Sequence, residues 1–420
     1  MTEQAERAPR ERLGHGLARM SGRDPAELHR ASTPLELLFD LAFVVAFGQA
    51  ADQLAHLLGE GHVAVGLGAF AFAMVAACWA WINFSWFASA YDTDDWFYRT
   101  TTMVQMIGVI VFALGIPAFF ASVDGGHGVN NGVMVAGYVV MRVALVVQWC
   151  RVAVQDPVHR TAALTYAGFV SVAQVGWVLV AFADLPLGVV IIAAPVVFVI
   201  ELAGPAVIET RLGGTPWHPH HIAERYGLLT IIALGEVLFG TVASVTALVG
   251  EQGWSMEAVI VVVAGIGLVF GLWWTYFILP AGPILSRHRR RAVVWGYSHV
   301  FIYAAIAATG AGLHVSAFVI EGTTDIGTLG ATLAVAIPVL VFSIALFLLY
   351  TYLVHQGDPF HVLLFAGTVL LLVAAVVVAA AGGSIGTCLI LVTLSPAVVV
   401  VGFETVGHRH EAVALARTLR

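Results

Sequence analysis

The chain has 420 residues, of which 60% are hydrophobic and 11% are charged, and its mean hydropathy is +0.90. This composition excludes a soluble globular domain and indicates a protein that crosses a membrane many times. The formal net charge of −7 excludes little, because in a membrane protein the placement of charges matters more than their sum. The three cysteines, Cys78, Cys150 and Cys388, have no paired spacing, so neither a disulfide framework nor a thiolate metal site is predicted.

Residues 1–32 form a polar, arginine-rich segment. They lack the apolar stretch that a signal peptide contains. We predict a flexible cytoplasmic tail there. Apolar runs separated by polar breaks then predict an all-α integral membrane protein with about twelve transmembrane helices. The predicted spans are Thr33–Leu58, Val63–Ala90, Thr100–Ala121, Val129–Val152, Ala162–Phe182, Leu185–Ile208, Ala223–Val249, Met256–Leu279, Val293–Ile320, Ile326–Val354, Phe360–Ala381 and Ile385–Phe403.

The arginines predict the orientation of these spans. All 19 basic residues are arginine, and eighteen of them fall on one side of the membrane when the spans alternate. The positive-inside rule therefore places both termini in the cytoplasm, in the plasma membrane of a cell, with residues 406–420 as a C-terminal tail. The exception is Arg142, which lies inside the fourth span.

Two similar aromatic segments suggest an internal repeat. Cys78-Trp79-Ala80-Trp81-Ile82-Asn83-Phe84 in the second span resembles Leu272-Trp273-Trp274-Thr275-Tyr276-Phe277 in the eighth. We interpret the chain as two six-helix repeats in parallel orientation, residues 33–211 and 212–405, related by a pseudo-twofold axis along the membrane normal. The alternative is that tryptophan-rich helix ends recur because they sit at the membrane interface.

Acidic residues stand at the start of the first span. Thr33-Pro34-Leu35-Glu36 has the pattern of a capping box with proline at the first helical position, which accounts for Glu36. Asp40 lies one turn deeper on the same helix face, where a carboxylate is costly unless it has a role. Asp40 is therefore the first candidate for a functional residue.

A set of polar side chains is predicted at about the depth of Asp40, within the same half of the membrane. A charged group at that depth needs a partner, so Arg142 is expected to pair with either Asp40 or Glu201. The set is interpreted either as a structural lock between helices or as a solute or ion site. Its members are Asp40, Asn83, Gln105, Arg142, Glu201 and His299.

Glu236 lies close to the middle of the seventh span, directly after Gly235, which would let a neighbouring helix approach closely. Two interpretations stay open. Glu236 is either a protonated, hydrogen-bonded structural residue or part of a relay for protons or cations.

The loop Tyr91–Arg99 is acidic on the side where arginines dominate. Asp95 and Arg99 are spaced as a helix cap and a surface ion pair. Asp92 and Asp94 with Asp95 would also attract a cation, although the spacing and glycine of an EF-hand are absent. Helix-cap or secondary-site roles are thus assigned to Glu36, Asp92, Asp94, Asp95, Arg99, Glu224 and Arg225.

No motif predicts a catalytic residue, a cofactor or a metal. A nucleophile elbow, a P-loop, an HExxH pair and a dinucleotide fingerprint are all absent from the sequence. His218, His220 and His221 are interrupted by proline and are interpreted as histidines of a membrane-surface loop. The expected partners are the lipid bilayer and a small solute, cation or proton, with no nucleic acid; the oligomeric state stays open.

Four segments resemble successive blocks of the bacterial low temperature requirement A family: TPLELLFDLAFVVAFGQ, YDTDDWFYRTTTM, ERYGLLTIIALGE and YSHVFIYAAIAATGAG. The resemblance implies a multi-spanning inner-membrane protein linked to growth in the cold, and it supplies no molecular activity. A fainter similarity exists to a potassium-channel family with a Phe-Ser-Asp motif in its first helix. Phe39-Asp40 occupies a comparable place here, without the serine and without a preceding arginine.

The sequence therefore predicts a transporter or channel-like protein for a small solute or ion. One alternative is a membrane-embedded enzyme or lipid-handling protein that acts at the cytoplasmic face through Asp92, Asp94, His218 and His361. A second alternative is a cold-adaptation scaffold without turnover, for which a dry and fully paired polar core would be typical.

Overall fold

The computed structural model describes residues 16–25, 27, 30–126, 128–183, 185, 187–355 and 358–419. These residues are helical and contain no strand. Twelve helical segments among them are long and apolar enough to cross a membrane, which confirms the predicted architecture. The long apolar runs fold as helices because a helix satisfies its own backbone hydrogen bonds in a lipid environment.

Six single helices form the first six spans, and three of the later spans are interrupted. The seventh is α7 plus α8 with a break at Leu234, and the eighth is α9 plus α10. In the twelfth, a π-helical turn at Phe403–Gly407 joins α14 to α15. The bounds are α1 Pro34–Gly59, α2 Val63–Tyr91, α3 Trp96–Asp124, α4 Gly132–Gln155, α5 Arg160–Phe182, α6 Leu187–Arg211, α7 Pro219–Ala233, α8 Gly235–Gln252, α9 Met256–Phe277, α10 Ala281–Arg287, α11 Ala292–Ile320, α12 Gly327–Val354, α13 Pro359–Ala380, α14 Ile385–Gly402 and α15 His408–Thr418.

The two halves share an order of neighbouring helices. In the first half, α1 packs against α2 and α3, and the chain then continues through the pairs α3–α4, α4–α5 and α5–α6. In the second half, α8 packs against α9 and α11, followed by the pairs α11–α12, α12–α13 and α13–α14. This order is compatible with the predicted repeat, which stays a prediction.

Helices α1, α2, α7 and α11 form the centre of the protein, where the two halves meet. Small residues allow α11 to approach α8 closely, as is common where transmembrane helices pack. A Cβ atom on Gly310 would lie 2.5 Å from the carbonyl oxygen of Glu236, and one on Gly240 would lie 2.4 Å from the carbonyl oxygen of Gly310. Glycine is therefore required at both positions.

Both described ends of the chain lie on the same face of the helix bundle, because twelve spans return to the starting side. We call this side the terminus face. Gly22 N donates to Asp156 Oδ2 at 3.0 Å, so part of the predicted tail packs on the α4–α5 connection. At the other end, Thr418 Oγ1 donates to the Val354 carbonyl at 3.1 Å. Residues 1–15 of the predicted tail lie outside the described residues.

Candidate functional site

Two helices, α1 and α7, begin at the terminus face in the same way, with proline at the first helical position of each. The Glu36 N–H donates to Thr33 Oγ1 at 3.3 Å, and the Thr33 N–H donates to Glu36 Oε2 at 2.8 Å, which confirms the predicted capping box. On α7, His218 is the N-cap, and its Nδ1 accepts the His221 N–H at 3.2 Å. Proline favours such a start because the first helical N–H needs no partner.

Complementary side chains join the first two turns of these helices. His221 Nε2 lies 3.2 Å from Glu36 Oε2, and one turn deeper Arg225 Nη2 donates to Asp40 Oδ1. In both pairs the two residues are 185 positions apart in the sequence, so α1 and α7 run parallel and in register. Arg225 Nη1 also lies 2.9 Å from Glu36 Oε1, so one guanidinium contacts both carboxylates. We call Glu36, Asp40, His221 and Arg225 the junction cluster.

The junction cluster is dry, since the side chains of all four residues are 0% exposed. Trp81 Nε1 on α2 donates to Asp40 Oδ1 at 2.6 Å, and its ring lies under the Arg225 guanidinium. Asp40 Oδ2 and His221 Nδ1 have no hydrogen-bond partner among the described residues. Asp40 thus keeps an unused acceptor in a site that excludes water.

Among the four residues of the junction cluster the formal charges do not balance, although the buried Arg30 acts electrostatically on Glu36 from outside the cluster. Two carboxylates, Glu36 and Asp40, face one guanidinium, Arg225, while His221 carries charge only when it is protonated. A net negative charge is costly in a buried site. The cluster becomes neutral when it takes up one proton, on the imidazole or on a carboxylate.

Arg142 forms a separate cluster with Glu201, the second of the two acidic partners that the sequence left open. Arg142 Nη2 lies 2.8 Å from Glu201 Oε1, and both side chains are 1% exposed. The Tyr138 hydroxyl donates to the same oxygen at 2.8 Å, and Trp177 Nε1 donates to Glu201 Oε2 at 3.0 Å. This Arg142 cluster is neutral and joins α4, α5 and α6.

Asn83 and Gln105 belong to neither charged cluster. The Asn83 side chain donates to the Trp79 carbonyl at 2.9 Å, within its own helix. Gln105 Nε2 donates to Gln148 Oε1 at 3.4 Å, which links α3 to α4. The predicted polar set is therefore divided into separate groups, because residues at one depth can lie on different sides of a helix bundle.

His299 is held by hydrogen bonds on both ring nitrogens. Its Nδ1 lies 2.7 Å from the Trp295 carbonyl, and its Nε2 lies 2.9 Å from the Tyr276 hydroxyl. The Tyr226 ring packs on it edge to face at 4.7 Å. These contacts fix the orientation of the imidazole beside α7.

Glu236 lies in the first turn of α8, directly after the break at Leu234. The carboxylate faces Gly48 on α1, where an added Cβ would lie 3.0 Å from Glu236 Oε1. Asp52, one turn further along α1, interacts with Glu236 electrostatically. Glu236 is thus placed at the α1–α8 contact, further from the terminus face than the junction cluster.

Asp92 lies at the edge of the junction cluster, at the C-terminal cap of α2. Its Oδ1 accepts the Asp94 N–H at 2.8 Å. Burial, together with the nearby negative charge of Glu36, raises the pKa of Asp92 to about 6. Asp92 therefore changes its charge close to neutral pH.

Asp95 caps α3 as predicted and accepts the Tyr98 N–H at 2.8 Å. The predicted ion pair of Asp95 with Arg99 is wrong, because Arg99 pairs with Asp94 at 2.7 Å and Asp95 pairs with Arg151. Burial acts to raise the pKa of Asp95, but the hydrogen bonds from Arg151 and the Tyr98 N–H lower it below its ordinary value.

One group of side chains at the opposite face has the composition of a metal site. Glu60, His62 and Asp124 place their ligand atoms within 4.8 Å of one another. His62 Nδ1 already pairs with Asp124 Oδ1 at 2.7 Å, and the imidazole is half exposed. An exposed ion pair accounts for this geometry without a metal.

Comparison with known sequences identifies the family. The sequence model of the bacterial low temperature requirement A protein (LtrA) matches residues 31–396, which is most of the chain. The chain belongs to the LtrA family. A relative from Rhizobium meliloti (strain 1021), the uncharacterized protein RA0937, is 29% identical over 216 residues, and the match covers 50% of each chain. The chain thus spans about half the length of this relative, and no solved structure matches.

Three of the four segments by which the sequence resembles the LtrA family meet at the junction cluster. The first carries Glu36 and Asp40, the third carries Arg225 and Glu236, and the fourth carries Tyr303, whose ring packs on Trp81. The family match also includes all of α1, α7 and α11. In this LtrA-family protein, the junction cluster is therefore the strongest candidate for a functional site.

Sequence reasoning missed His221 and misplaced Arg225. His221 is interpreted from the sequence as a loop histidine because prolines interrupt its segment, and Arg225 is given a helix-cap or secondary-site role. Proline instead begins α7, so His221 and Arg225 form a basic pair one turn apart. Glu36 and Asp40 form the matching acidic pair, and this complementary spacing is the signal that could have found the cluster. The neighbouring Glu224 points to the surface, where it accepts the Ser32 N–H at 3.2 Å.

Proposed function

We propose that this LtrA-family membrane protein is a transporter or channel-like protein for a small solute or ion, and that protons or small cations act at the junction cluster. Membership of the family and the twelve-span architecture support a multi-pass membrane protein. The single observation that carries the proposal is the uneven charge of the junction cluster, with two buried carboxylates on one guanidinium.

A structural ion pair would need no such imbalance. The Arg142 cluster shows how the same fold buries one positive and one negative charge, with both oxygens of Glu201 accepting hydrogen bonds. At the junction cluster, the surplus carboxylate needs a proton or another cation to become neutral. Binding and release of that proton or cation would couple the cluster to transport. Charged groups within membranes often mark such pathways.

The surroundings of the cluster support a path along α1. Glu236 and Asp52 lie on the far side, next to the break between α7 and α8, and Gly48 leaves room for the Glu236 carboxylate. Broken helices frequently line sites in transporters. Between the two acidic regions, the rings of Phe47 and Tyr303 stack at 6.4 Å, and they would separate one half of the path from the other.

The same arginine pattern that predicted the orientation supports the terminus face as the cytoplasmic face, in a plasma membrane. Arginines of the described loops lie at this face, in the connections next to Arg99, Arg160 and Arg211 and in the turn Arg289–Arg291. Positively charged loops stay on the cytoplasmic side during membrane insertion. Fusions of a reporter after Asp124 and Asp325 should report the periplasmic side, and fusions after Arg160 should report the cytoplasm.

The alternative activities have less support. For an enzyme at the terminus face, His218 was one candidate, but its Nδ1 accepts the His221 N–H and its Nε2 lies 2.7 Å from the Glu27 carbonyl. Asp94, another candidate, is paired with Arg99. For a scaffold without turnover, a fully paired polar core is typical, and the junction cluster does not have one.

Reconstituted protein tests the proposal. The full chain in liposomes should move protons or potassium or sodium ions down an imposed gradient, measured with a pH-sensitive dye and with an ion-selective electrode. Asp40→Asn removes the surplus carboxylate at nearly constant shape and should abolish this flux. Glu224→Gln is the matched control, because Glu224 is an acid of α7, the helix paired with α1, that points to the surface, and the flux of this variant should equal that of the wild type.

Two results would overturn the proposal. One is the absence of flux above empty liposomes for all three cations with correctly folded wild-type protein. The other is an equal flux of Asp40→Asn and wild-type protein at matched incorporation, since the surplus carboxylate would then have no part in permeation.

A further inference from the structure

A groove lies in the second half of the protein, away from the junction cluster. It is open to one side and has a cavity volume of about 80 Å³. Its walls come from α9, α12, α13 and α14, and the π-helical turn and α15 close it at the terminus face. π-Helical turns occur frequently at functional sites.

The groove has an apolar body and a polar end. From His361 to Thr368, α13 lines about 10 Å of its length, and leucine and phenylalanine side chains such as Leu346, Leu364 and Phe365 cover the walls. The polar end, near the terminus face, contains Asp358, His361 and Glu411. An amphipathic molecule therefore fits the groove with its head toward the terminus face.

Two acceptors at the polar end are buried without a hydrogen-bond partner among the described residues. Glu411 is 9% exposed, and its Oε1 has no partner, whereas Asp358 is already engaged by His410 at 2.9 Å. His361 donates one hydrogen bond to the Phe347 carbonyl, which leaves its Nε2 as an acceptor without a partner. Buried polar atoms are rarely left unpaired, so a ligand with several donors would satisfy both acceptors.

The charge of the polar end selects among head groups. No arginine lines the groove in the part of the chain that the structure describes, and the acids Asp358 and Glu411 would repel a phosphate or a carboxylate. The rings of Phe347 and Tyr350 pack on His361 at 4.7 and 4.4 Å and hold the imidazole at the polar end. A primary ammonium supplies both the positive charge and the donors.

We propose that this groove binds a hydrophobic amine, with its ammonium on Glu411 and His361 and its apolar body between α12, α13 and α14. The site is independent of the junction cluster. The segment that closes it, from Phe403 to Glu411, lies beyond residues 31–396, which the family model matches.

Binding of tritiated octylamine to the full chain, in nanodiscs of phosphatidylglycerol, tests the site. Octylamine should bind saturably, whereas octanol and octanoate, which have the same chain length, should compete at least about ten-fold more weakly because they lack the ammonium. Glu411→Gln should weaken octylamine binding about ten-fold and bring octylamine and octanol to similar affinities. Glu404→Gln is the matched control, because this exposed acid of the π-helical turn bonds Trp274 outside the groove, and it should leave octylamine binding unchanged.

A second variant tests the body of the site without changing a charge. Ser343→Leu fills the groove and should weaken octylamine and octanol alike. Octanol binding as tightly as octylamine to the wild type, or unchanged octylamine binding by Glu411→Gln, would overturn the proposal. Loss of octylamine binding in nanodiscs of phosphatidylethanolamine would also overturn it, since a lipid head group would then be the occupant.

Discussion

Two buried arginines in this protein have contrasting surroundings. Arg142 pairs with a single glutamate, and the tyrosine hydroxyl and tryptophan N–H beside it satisfy the remaining oxygens. Arg225 contacts both Glu36 and Asp40, with a histidine as the fourth member of the cluster. Burial is similar in the two places, so it does not distinguish a structural pair from a candidate site. The balance of charge does distinguish the two.

The largest expected effect separates the two arginines by stability. Arg225→Gln leaves two buried carboxylates without a cation, whereas Arg142→Gln leaves one. Removing one partner of a buried ion pair typically costs about 3–5 kcal/mol, so Arg225→Gln should lower the unfolding temperature in detergent more than Arg142→Gln. An equal decrease in unfolding temperature for the two variants would show that the difference in charge balance does not affect stability.

Paired substitutions test the assignment of partners. Adding Asp40→Asn to Arg225→Gln should restore part of the lost stability, because only one carboxylate then stays unpaired. Adding the same change to Arg142→Gln should restore none, since Arg142 pairs with Glu201. Rescue of Arg142→Gln by Asp40→Asn would contradict the structure.

A smaller effect is expected when the acids are neutralised one at a time. Glu201→Gln strands Arg142, so its free energy of unfolding should fall. Asp40→Asn leaves Glu36 and Arg225 as a balanced pair, so the loss should be smaller, or the stability should increase. Thermal unfolding of both variants at the same pH measures the difference. A loss for Asp40→Asn as large as that for Glu201→Gln would make the junction cluster a structural lock as well.

Glu236→Gln extends the comparison to a further buried acid, which lies outside both charged clusters. The described residues include no ion-pair partner for Glu236, and Asp52, which interacts with it electrostatically, is also acidic. The change should therefore alter the free energy of unfolding by less than about 1 kcal/mol while it abolishes cation flux in liposomes. Asp52→Asn is a suitable second variant. Normal flux in Glu236→Gln protein would remove this residue from the proposed path without affecting the role of Asp40.

The sequence predicted the spans correctly because hydropathy and length report directly on membrane crossing. It also predicted the capping box at Thr33, since that motif is local. It could not choose between Asp40 and Glu201 as the partner of Arg142. Position in a span gives depth, but the side of the helix bundle on which a residue lies depends on packing between helices that are distant in the sequence.

The junction cluster was recoverable in principle from two spacings. Glu36 and Asp40 are separated by one turn, as are His221 and Arg225, and both helices begin with proline. The equal separation of 185 residues is what a twofold axis between α1 and α7 would produce, with equivalent positions facing each other. Any two parallel helices in register give the same equal separation, so the repeat stays a prediction, but the register explains how opposite charges one turn apart form one cluster.

The smallest expected effect concerns Asp92, which reports on the field of the junction cluster from its edge. Burial and the charge of Glu36 raise the pKa of Asp92 to about 6, above its ordinary value of 3.8, so the folded protein holds this proton more tightly than the unfolded chain does. The contribution of Asp92 to stability is therefore fully present below pH 3.8 and is lost as the pH rises through about 6.

Asp92→Asn stays neutral and keeps an oxygen for the Asp94 N–H, so its unfolding temperature should exceed that of the wild type by about 2–4 °C at neutral pH and approach it in acid. Asp94→Asn, at an exposed position of the same loop, removes the surface pair with Arg99 and a smaller negative charge near Asp92, so it should change the unfolding temperature less than Asp92→Asn does. A constant difference between Asp92→Asn and wild type across this pH range would mean that Asp92 does not sense the negative charge of the cluster.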